Sequence, residues 1–570
     1  MSASTEPEKD AAAAGGKGEE KAEATGGGSG WELLYCGGTS FDTMGRKVVG
    51  GPQGNLVSPT RLRPLVGVDI RFVASGCTAC HCVALDAEGR CYTWGRNEKG
   101  QLGHGDTLLR NLPTVVSELS KYKVVKASVG RNHTVVVTDD GKSFSFGHNK
   151  HGQLGTGSLR NEIESSPVPC LVSEATNAVC GADFTVWLSS VEGSSILTAG
   201  LPQYGQLGHG TDNEYNAKDS SVKLQYDPQP RPRAIAALSG KTVVKVACGT
   251  NHTVAVDSSG FVYTWGFGGY GRLGHREQKD EWQPRLVEVF QKHNVLPPNA
   301  VVSAGSASSA CTAGMVSLAL MFVKEDVLLP KLLAANKQLV GGGQLYMWGK
   351  LKNTGDDWMY PKAVMDLSGW NVRCMASGNM HHVVGADDSC ISWGVAVHGE
   401  LGYGPNGQKS SANPKKVDIL DGMRVTSVGC GLGLSLIVVE RANFEDRLDQ
   451  LEIYDGDTST QVEEVEVQAT KKKASASTNK RKKSKDLSDS EEEDDGDESG
   501  DDENGEATEA KGKRGRKPSN RGRGRGAKKA TPEPKPAGRG RGRPKKTESP
   551  AQKSGSSGRG GKRGRGRPRK

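Results

Sequence analysis

Two short segments near the end of the chain have a residue pattern suited to binding duplex DNA. Each reads Arg-Gly-Arg-Pro, and a third, near match has one inserted lysine before its proline. Glycine lets the backbone approach the floor of the narrow minor groove, and the two arginines then lie in the negative potential of A·T tracts. Because the guanine N2 amino group obstructs that floor, the segments predict AT-hooks that prefer A·T-rich DNA. Their residues are Arg541, Gly542, Arg543 and Pro544; Arg565, Gly566, Arg567 and Pro568; and Arg514, Gly515, Arg516 and Pro518.

The segment around these motifs leaves other polyanions open as ligands. Residues 511–570 contain 24 basic and two acidic residues and no aromatic residue. Arg-Gly repeats at 521–526 and 539–542 also occur in RNA-binding segments, but single-strand binding usually draws on aromatic stacking. We therefore expect duplex DNA as the ligand, with RNA or generic polyanion binding as the alternative. A segment of this composition cannot bury a core, so we expect it to be disordered.

Two basic clusters and an acidic block precede the AT-hooks. The clusters resemble a bipartite nuclear import signal, with a solvated basic linker as the alternative. Residues 486–509 then carry 14 acidic and no basic residues. Ser488 and Ser490 precede an acidic run, as the sites of acid-directed kinases do, and are predicted phosphorylation sites. The basic residues of the two clusters are Lys471, Lys472, Lys473, Lys480, Arg481, Lys482, Lys483 and Lys485.

A group of thiol and imidazole side chains near the start of the chain raises the question of a metal site. It comprises Cys77, Cys80, His81 and Cys82, with Cys91 nearby. Structural zinc prefers two well-separated ligand pairs, whereas consecutive residues in a strand point to alternating faces. The pattern favours buried, small, apolar cysteines. We predict no metal and no other cofactor.

A glycine-rich stretch at 266–271 fits the spacing Gly-x-Gly-x-x-Gly. A dinucleotide site would need a helix directly after it, but Arg272-Leu-Gly-His follows, in the frame of a loop that recurs elsewhere in the chain. We therefore predict a turn. Neither a Ser/His/Asp order, nor paired carboxylates, nor a phosphate-binding loop stands out, so we expect no covalent enzyme chemistry and no small-molecule substrate.

Charge divides the chain at about residue 440. Residues 1–440 contain 41 basic and 41 acidic residues, whereas residues 441–570 contain 34 and 25, so the whole net charge of +9 lies in the second part. Residues 1–30 are acidic, rich in alanine and glycine, and without the signature of a signal peptide, which predicts a disordered leader. The longest apolar run, 313–323, is too short to span a bilayer. These features predict a neutral body with a charged tail and no membrane contact.

Two half-motifs alternate through the body. The first reads Val-Val-Lys-x-x-x-Gly-x-Asn-His-Thr-Val-x-Val, as at 124–137 and 243–256, and its recurring histidines are His133 and His252. The second reads aromatic-x-x-Trp-Gly and then Gly-Gln-Leu-Gly, and its recurring tryptophans are Trp94, Trp265, Trp348 and Trp393. Alternating β-branched and aromatic residues that end in glycine turns predict strands. Periodic recurrence predicts core positions for the tryptophans and hydrogen bonding within each blade for the histidines.

The order of the half-motifs predicts a closed ring. The body begins with a second half near Leu33 and ends with a first half at 425–439, which gives seven halves of each kind. A four-stranded unit cannot bury its inner face alone, and radial stacking produces a propeller. A last blade built from both ends leaves no exposed edge. The predicted fold class is all-β: a closed seven-bladed β-propeller at 31–440, a short amphipathic helix within 441–460 that packs on the ring or frays, and a disordered tail at 461–570.

The pattern of Gly-x-x-His-Thr, Trp-Gly and Gly-Gln-Leu-Gly resembles the regulator of chromosome condensation family. Longer strings, such as WGRNEKGQLGHGDT from Trp94, resemble the second branch of that family, over about residues 31–440 and without the tail. Another branch senses ultraviolet light through tryptophans after the glycine of Gly-x-x-His-Thr. Arg131 and Thr250 stand there in this chain, which disfavours a photoreceptor.

The resemblance leaves two functions open. One is a nuclear scaffold on chromatin, with DNA on the tail and a protein on the ring. The other is a guanine nucleotide exchange factor or regulator for a Rac- or Ral-type small GTPase, since the second branch is linked to those GTPases, to centromeric chromatin and to mitosis. Exchange needs no nucleophile, but no short motif identifies exchange residues. The insertions 211–233 and 322–343 are candidate partner contacts, with passive insertion as the alternative; the apolar stretch in the second would suit a helix.

Overall fold

In a computed structural model of the chain, the described residues are 30–46, 54–210, 215–216, 225–313, 343–352 and 355–456. The predicted leader (apart from Gly30), import signal, phosphorylation sites, acidic block and AT-hooks lie outside these ranges. All but Gly343 of the predicted insertion 322–343 also lies outside them.

Each blade is an antiparallel sheet of four strands that follow one another outward from the ring axis. In blade 2 the strands are Val124–Val129, His133–Thr138, Ser143–His148 and Ile163–Pro169. Every residue of the second and third strands is buried, whereas the fourth strand is half-buried or exposed. The middle strands contact a neighbouring blade on each face, which explains their runs of small and apolar residues.

The strands, numbered in chain order, are β1 Trp31–Gly37, β2 Leu56–Leu62, β3 Ile70–Ala74, β4 His81–Asp86, β5 Cys91–Gly95, β6 Arg110–Val115, β7 Val124–Val129, β8 His133–Thr138, β9 Ser143–His148, β10 Ile163–Pro169, β11 Ala175–Cys180, β12 Phe184–Ser189, β13 Ile196–Gly200, β14 Tyr215–Asn216, β15 Gln225–Tyr226, β16 Gln229–Ala234, β17 Val243–Cys248, β18 His252–Asp257, β19 Val262–Gly266, β20 Glu281–Leu286, β21 Val302–Ala304, β22 Ser308–Ala313, β23 Gln344–Gly349, β24 Trp358–Ala363, β25 Val372–Ser377, β26 His381–Ala386, β27 Ser389–Gly394, β28 Ser411–Lys416, β29 Val425–Cys430, β30 Leu434–Glu440 and β31 Ile453–Tyr454. An α-helix, α1, spans Glu445–Asp449. Short 3-10 helices span Arg63–Leu65, Ser117–Leu119, Ala236–Leu238, Gly269–Gly271, Lys292–Asn294, Met365–Leu367 and Asp418–Leu420.

The strands assemble into seven blades. From the axis outward, the blades are β3-β4-β5-β6 (blade 1), β7-β8-β9-β10 (blade 2), β11-β12-β13-β16 (blade 3), β17-β18-β19-β20 (blade 4), β21-β22-β23-β24 (blade 5), β25-β26-β27-β28 (blade 6) and β29-β30-β1-β2 (blade 7). Blade 7 takes two strands from each end of the body. β1 and β30 pair antiparallel from Trp31 opposite Glu440 to Gly37 opposite Leu434. The predicted closed seven-bladed propeller is therefore confirmed.

A buried ion network fastens this closure. The Glu32 carboxylate on β1 is 1% exposed and accepts from Arg61 Nε on β2 at 2.9 Å. It also pairs with Arg441, which directly follows β30. Arg61 Nη1 reaches Asp449 of α1 at 2.9 Å. One carboxylate thus holds residues from both ends of the ring in place.

The predicted helix within 441–460 is shorter than its apolar spacing indicates. α1 has five residues, and Leu448 on it is buried against blade 7. The chain then forms β31, in which Ile453 and Tyr454 pair parallel with Arg61 and Leu62 of β2. Pairing with the outer edge of blade 7 satisfies backbone groups that a longer helix would have satisfied internally.

The core lies between the blades, in seven apolar clusters that each join two neighbours. Trp94, Trp265 and Trp348 are at most 1% exposed, and Trp393 is 4% exposed. The last glycine of Gly-Gln-Leu-Gly lies against the next blade: a Cβ on Gly208, whose φ is +74°, would approach Trp265 Nε1 to 2.9 Å. The loop motif therefore reflects close packing between neighbouring blades.

The recurring histidines form a belt of hydrogen bonds between blades. Each lies at the start of a second strand, and its Nε2 bonds a hydroxyl on the second strand of the next blade. Thr134 Oγ1 already donates to the Gln101 carbonyl at 2.8 Å, so His81 Nε2 must be the donor to Thr134. The pairs are His81–Thr134 at 2.9 Å, His133–Thr185 at 3.0 Å, His252–Ser309 at 2.8 Å and His381–Ser435 at 3.0 Å. These bonds cross between blades, whereas we expected them within each blade.

Replacement of Glu32 by alanine should destabilise the ring by about 3 kcal/mol, because it leaves Arg61 and Arg441 without their shared buried carboxylate. Urea unfolding measures the loss. The matched control is Glu98→Ala, which breaks the exposed pair with Arg46, 2.6 Å apart, and should cost less than about 1 kcal/mol. Equal losses of stability in the two variants would contradict a role for Glu32 in holding the ring closed.

Stability should fall as the pH falls from about 6.5 towards 4. Burial lowers the pKa of His133 to about 4 and that of His81 to about 3, whereas an unfolded histidine titrates near 6.5. Between these values the unfolded chain binds protons that the folded chain does not, so acid favours unfolding, by up to about 1.4 kcal/mol per pH unit for each histidine. Urea unfolding at several pH values tests this. His133→Gln should make the dependence shallower, and an unchanged slope in that variant would refute the assignment.

Candidate partner-binding face

The connections between strands divide the ring into two different faces. In every blade the turn from first to second strand and the loop from third to fourth strand open on one side, which we call the loop face; in blade 2 these are residues 130–132 and 149–162. The turn from second to third strand and the connection to the next blade open on the opposite side, which we call the tail face. The antiparallel order of four strands imposes this division.

Both described ends of the body lie on the tail face. Gly30 precedes β1 on that side, and the backbone N–H of Arg441 donates to the Gly30 carbonyl. The chain leaves the described part at Gly456, directly after Asp455 pairs with Arg63 at the tail-face end of β2. Ala313 and Gly343, which border the predicted insertion 322–343, also lie on this side. The loop face therefore carries neither described end of the body.

The other predicted insertion, 211–233, begins in the connection between the third and fourth strands of blade 3, which opens on the loop face. Its described residues include the short hairpin of β14 and β15, in which Tyr215 pairs with Tyr226. Its last residues, from Gln229, belong to β16, the outer strand of the blade. The insertion is thus shorter than the sequence indicated.

The seven turns of the loop face bond to one another around the axis. The Arg131 N–H donates to the Ala182 carbonyl and the Ala182 N–H to the Thr250 carbonyl, each at 3.0 Å. Beneath the turns, a cavity of about 310 Å³ is lined by the first strands of all seven blades. The Cys77 side chain of blade 1 reaches across the axis to blade 4, where its Sγ lies 3.7 Å from Thr250 Oγ1. This ring of turns gives the loop face a rigid centre.

The Gly-Gln-Leu-Gly loops present one side chain each around that centre. In blades 1, 2 and 3 the glutamine Oε1 accepts from the backbone N–H two residues earlier, at 2.7 to 2.9 Å; Glu400 does the same in blade 6. The bond fixes the residue that precedes the first glycine. We call these four residues, together with Tyr270 at the same position in blade 4, the loop-face crown; they are Lys99, His151, Tyr204, Tyr270 and His398.

Blade 4 departs from this arrangement because Arg272 replaces the glutamine. Arg272 cannot accept a hydrogen bond; its Nη1 instead donates to the Ser306 carbonyl of blade 5 at 2.9 Å. The guanidinium stacks on Phe267, 4.5 Å from the ring centroid, and Phe267 contacts Tyr204 with centroids 4.7 Å apart. Tyr270 adopts a left-handed φ of +60° and lies beneath the Lys350 ammonium. The result is a half-buried aromatic and cationic surface over blades 3 to 5.

The residues singled out in the sequence lie elsewhere or outside the described ranges. The recurring tryptophans and histidines are buried between blades, and the stretch 266–271 is a strand end followed by a 3-10 turn. The thiols of the predicted cysteine cluster are buried, and burial raises the pKa of Cys80 to about 11 and that of Cys91 to about 12. Within the described ranges, no group of three or more His, Cys, Asp or Glu side chains is arranged to hold a metal ion.

Sequence reasoning missed the crown, although a signal was present. The position before Gly-Gln-Leu-Gly varies among lysine, histidine and tyrosine while its neighbours recur, which is typical of a loop position free of packing constraints.

At the positions where the light-sensing branch has tryptophan, Arg131 pairs with Asp183 at 3.5 Å and Thr250 with Ser306 at 3.1 Å. No helix in the described part of the chain is long and apolar enough to cross a bilayer.

Comparison with known proteins gives the chain its relatives. The model described as regulator of chromosome condensation (RCC1) repeat matches residues 88–137, 140–188, 195–256, 259–312 and 387–438. Protein RCC2 of Mus musculus is 38% identical over 449 residues, which cover 74% of this chain and 79% of that protein.

Solved structures share the fold at lower identity. Human WBSCR16 superposes with a TM-score of 0.54 and 20% identity over 72% of this chain and 98% of its own. Prp20p of Saccharomyces cerevisiae superposes with a TM-score of 0.53 and 19% identity over 74% of this chain and 94% of its own. The repeats, the ring and the identity to Protein RCC2 over most of both chains show that this chain belongs to the regulator of chromosome condensation (RCC1) repeat family, in the group of Protein RCC2.

Proposed function

We propose that the protein is a nuclear, chromatin-associated scaffold that binds A·T-rich duplex DNA through its tail and a protein partner through the loop face. The observation that carries this proposal is the placement of both described chain ends on the tail face. Because the described chain ends at Gly456 on the tail face, the attachment point of the tail leaves the crown open to a partner.

The composition of the ring and of the tail supports binding of a partner by the ring and of DNA by the tail. The ring has no net charge over residues 1–440, whereas residues 511–570 carry 24 basic residues and the AT-hook motifs. DNA affinity rests largely on phosphate neutralisation by lysine and arginine, and only the tail offers that density of charge. Protein interfaces are enriched in aromatic residues and arginine, and the loop face offers Tyr204, Phe267 and Tyr270 with stacked cations.

What is known of relatives agrees with this proposal. The structure of Prp20p was described together with its binding to Gsp1p and histones. A ring that holds a chromatin protein while a tail holds DNA combines the two kinds of contact on one chain. The basic clusters at 471–485 would bring the protein to the nucleus, and a role at chromosomes in mitosis follows from the branch resemblance.

Replacement of the arginines of all three predicted hooks, at 514, 516, 541, 543, 565 and 567, by alanine should abolish the preference for A·T-rich DNA. We expect the ratio of affinities for an A·T-rich and a G·C-rich hairpin to fall at least about tenfold, because minor-groove contacts of this kind discriminate by about 1–3 kcal/mol. Fluorescence anisotropy of the full chain measures both affinities.

The matched control removes the same charge elsewhere in the tail. Alanine at Arg521, Arg523, Arg525, Lys528, Lys529 and Arg559 should weaken binding to both hairpins equally and lower the salt slope by about 0.9 for each lost phosphate contact. An A·T preference that survives in the first variant, or that falls equally in the control, would exclude AT-hook recognition.

The second candidate function is nucleotide exchange on a Rac- or Ral-type small GTPase. It is favoured by the group of Protein RCC2 to which the chain belongs and by a rigid loop face that can hold a partner loop open without covalent chemistry. Substoichiometric full-length protein should then speed release of a fluorescent GDP analogue from one GTPase of a panel.

Under this candidate, Tyr204→Ala should slow the stimulated release about tenfold, since central aromatic residues dominate protein interfaces. Tyr122→Ala is the control, because Tyr122 lies in the connection from blade 1 to blade 2 on the tail face. If release is no faster with the protein than without it for every GTPase tested, the scaffold function stands alone.

A further inference from the structure

The cavity along the ring axis has two different ends. At the loop-face end Cys77 reaches across the axis, with its Sγ 3.7 Å from Thr250 Oγ1. The other end is lined by Phe72, Lys126 and Asn177 of three first strands. Every first strand begins on the tail face, so this end opens towards that side. We call this cavity of about 310 Å³ the axial pocket and its tail-face end the entrance.

A β-bulge near the start of six first strands exposes two consecutive residues at the entrance. In blade 2 the register shifts between Val124 and Lys126; Val124 is buried, whereas Val125 and Lys126 are exposed. The same shift, with a buried first residue and two more exposed residues after it, recurs in blades 1, 3, 4, 6 and 7. A bulge places two residues opposite one on the partner strand. Since the first strand is the innermost of each blade, the two exposed residues face the axis.

These axis-facing positions carry positive charge and no negative charge. They are Arg71 and Phe72, Val125 and Lys126, Thr176 and Asn177, Val244 and Lys245, Arg373 and Cys374, and Thr426 and Ser427, with Ala300 and Val301 at the equivalent place in blade 5. The residues directly before the first strands add no net charge, because Asp69 and Glu174 offset Lys123 and Arg424. Arg71 pairs with Asp69, which leaves three basic residues around the entrance.

The two lysines at the entrance have no carboxylate partner among the described residues. Lys126 Nζ lies 5.5 Å from the centroid of the Phe72 ring. Lys245 is half-buried; burial lowers the pKa of its ammonium, and no carboxylate opposes that shift. Because burial removes part of the hydration of a charged group, an anion at the entrance would stabilise the charged form of Lys245.

Blades 3 and 6 add hydrogen-bond donors. Asn177 Oδ1 accepts from the Ala178 N–H at 3.0 Å, which leaves the amide Nδ2 of Asn177 as a donor. Arg373 donates to the Asp387 backbone carbonyl, and its buried Nε has no hydrogen-bond partner in the described part of the chain. An unpaired buried N–H is costly. We call Lys126, Asn177, Lys245 and Arg373, from blades 2, 3, 4 and 6, the entrance ring.

We propose that the entrance ring binds the phosphate groups of a compact anion that occupies the axial pocket. The donors approach the axis from four blades, and a phosphate group offers three acceptor oxygens in different directions, whereas a carboxylate has only two oxygens. Below the entrance, the pocket is lined by small side chains such as Ala74, Ser128 and Ala376, which suit a slim, polar part of the ligand. Its volume lies at the lower end of the range for small-molecule sites, about 300–1,000 Å³.

Lysine acetylation of the full chain tests the site, with inorganic tripolyphosphate as the probe. Mass spectrometry of the digest reports the reaction rate of each lysine, so binding of the probe to the basic tail is mapped separately. Sodium chloride matches the ionic strength of the samples without probe, because salt screens charges. At probe concentrations about four times the dissociation constant, we expect Lys126 and Lys245 to react roughly fivefold more slowly. Lys121 and Lys142, on the tail face but outside the pocket, should react at unchanged rates.

Thermal unfolding of variants tests the same site without chemical modification. A ligand that binds only the folded ring raises its unfolding temperature, and saturating tripolyphosphate should raise that of the wild type by about 2 °C or more. The double variant Lys126→Gln, Lys245→Gln should lose at least about half of this shift. The matched control Lys121→Gln, Lys142→Gln removes the same charge from the tail face and should keep the shift.

Asn177→Asp adds a negative charge to the entrance while it retains the acceptor for the Ala178 N–H. The concentration of tripolyphosphate that protects Lys126 by half should rise about tenfold, which corresponds to about 1.4 kcal/mol. The unfolding temperature of this variant without probe verifies that the ring is intact.

Three outcomes would overturn the inference. The first is protection of Lys126 and Lys245 no greater than that of Lys121 and Lys142. The second is an equal thermal shift in the two double variants, which would place the stabilising phosphate elsewhere. The third is protection of Lys126 and Lys245 by an A·T-rich duplex as strong as by tripolyphosphate, which would assign the entrance to DNA.

Discussion

The pairing of Trp31–Gly37 with Leu434–Glu440 is the interaction on which the whole ring depends. Seven successive residue pairs join the two ends of the body into one blade, and the buried Glu32 carboxylate ties Arg61 and Arg441 across the joint. Since every core cluster lies between two blades, an open joint would expose apolar surface on both flanking blades and leave an unpaired strand edge. Closure therefore decides whether the other six interfaces can be complete.

The repeat motif is explained by contacts between neighbouring blades rather than within one blade. The histidine of Gly-x-x-His-Thr bonds the hydroxyl of the next blade, and the glycine before it is needed because a Cβ on Gly130 would lie 2.7 Å from the Gly181 carbonyl oxygen of the next blade. The last glycine of Gly-Gln-Leu-Gly has no side chain, and it therefore leaves room for the aromatic side chain of the next blade. Residues that pack at these interfaces recur from blade to blade, whereas residues outside them, such as the crown, differ between blades.

The two faces of the ring differ in what they carry. The tail face carries the described ends of the body, while the loop face holds a ring of bonded turns and the aromatic surface over blades 3 to 5. Under the proposed function, a partner on the loop face would leave the attachment point of the tail free. Covalent chemistry is not needed for such a role or for nucleotide exchange.

The sequence by itself determined the seven blades, their closure from both ends and the tail's charge, because glycine turns, strand alternation and charge density are local properties that need no partner in space. It also placed Trp265 and its counterparts in the core. Only the tertiary structure decided that His133 bonds across blades, that the helix after residue 440 ends at Asp449 and gives way to β31, and that Tyr204 and Phe267 meet on the loop face. Those two residues come from loops of neighbouring blades, so their proximity follows from the closed ring and from no pattern along the chain.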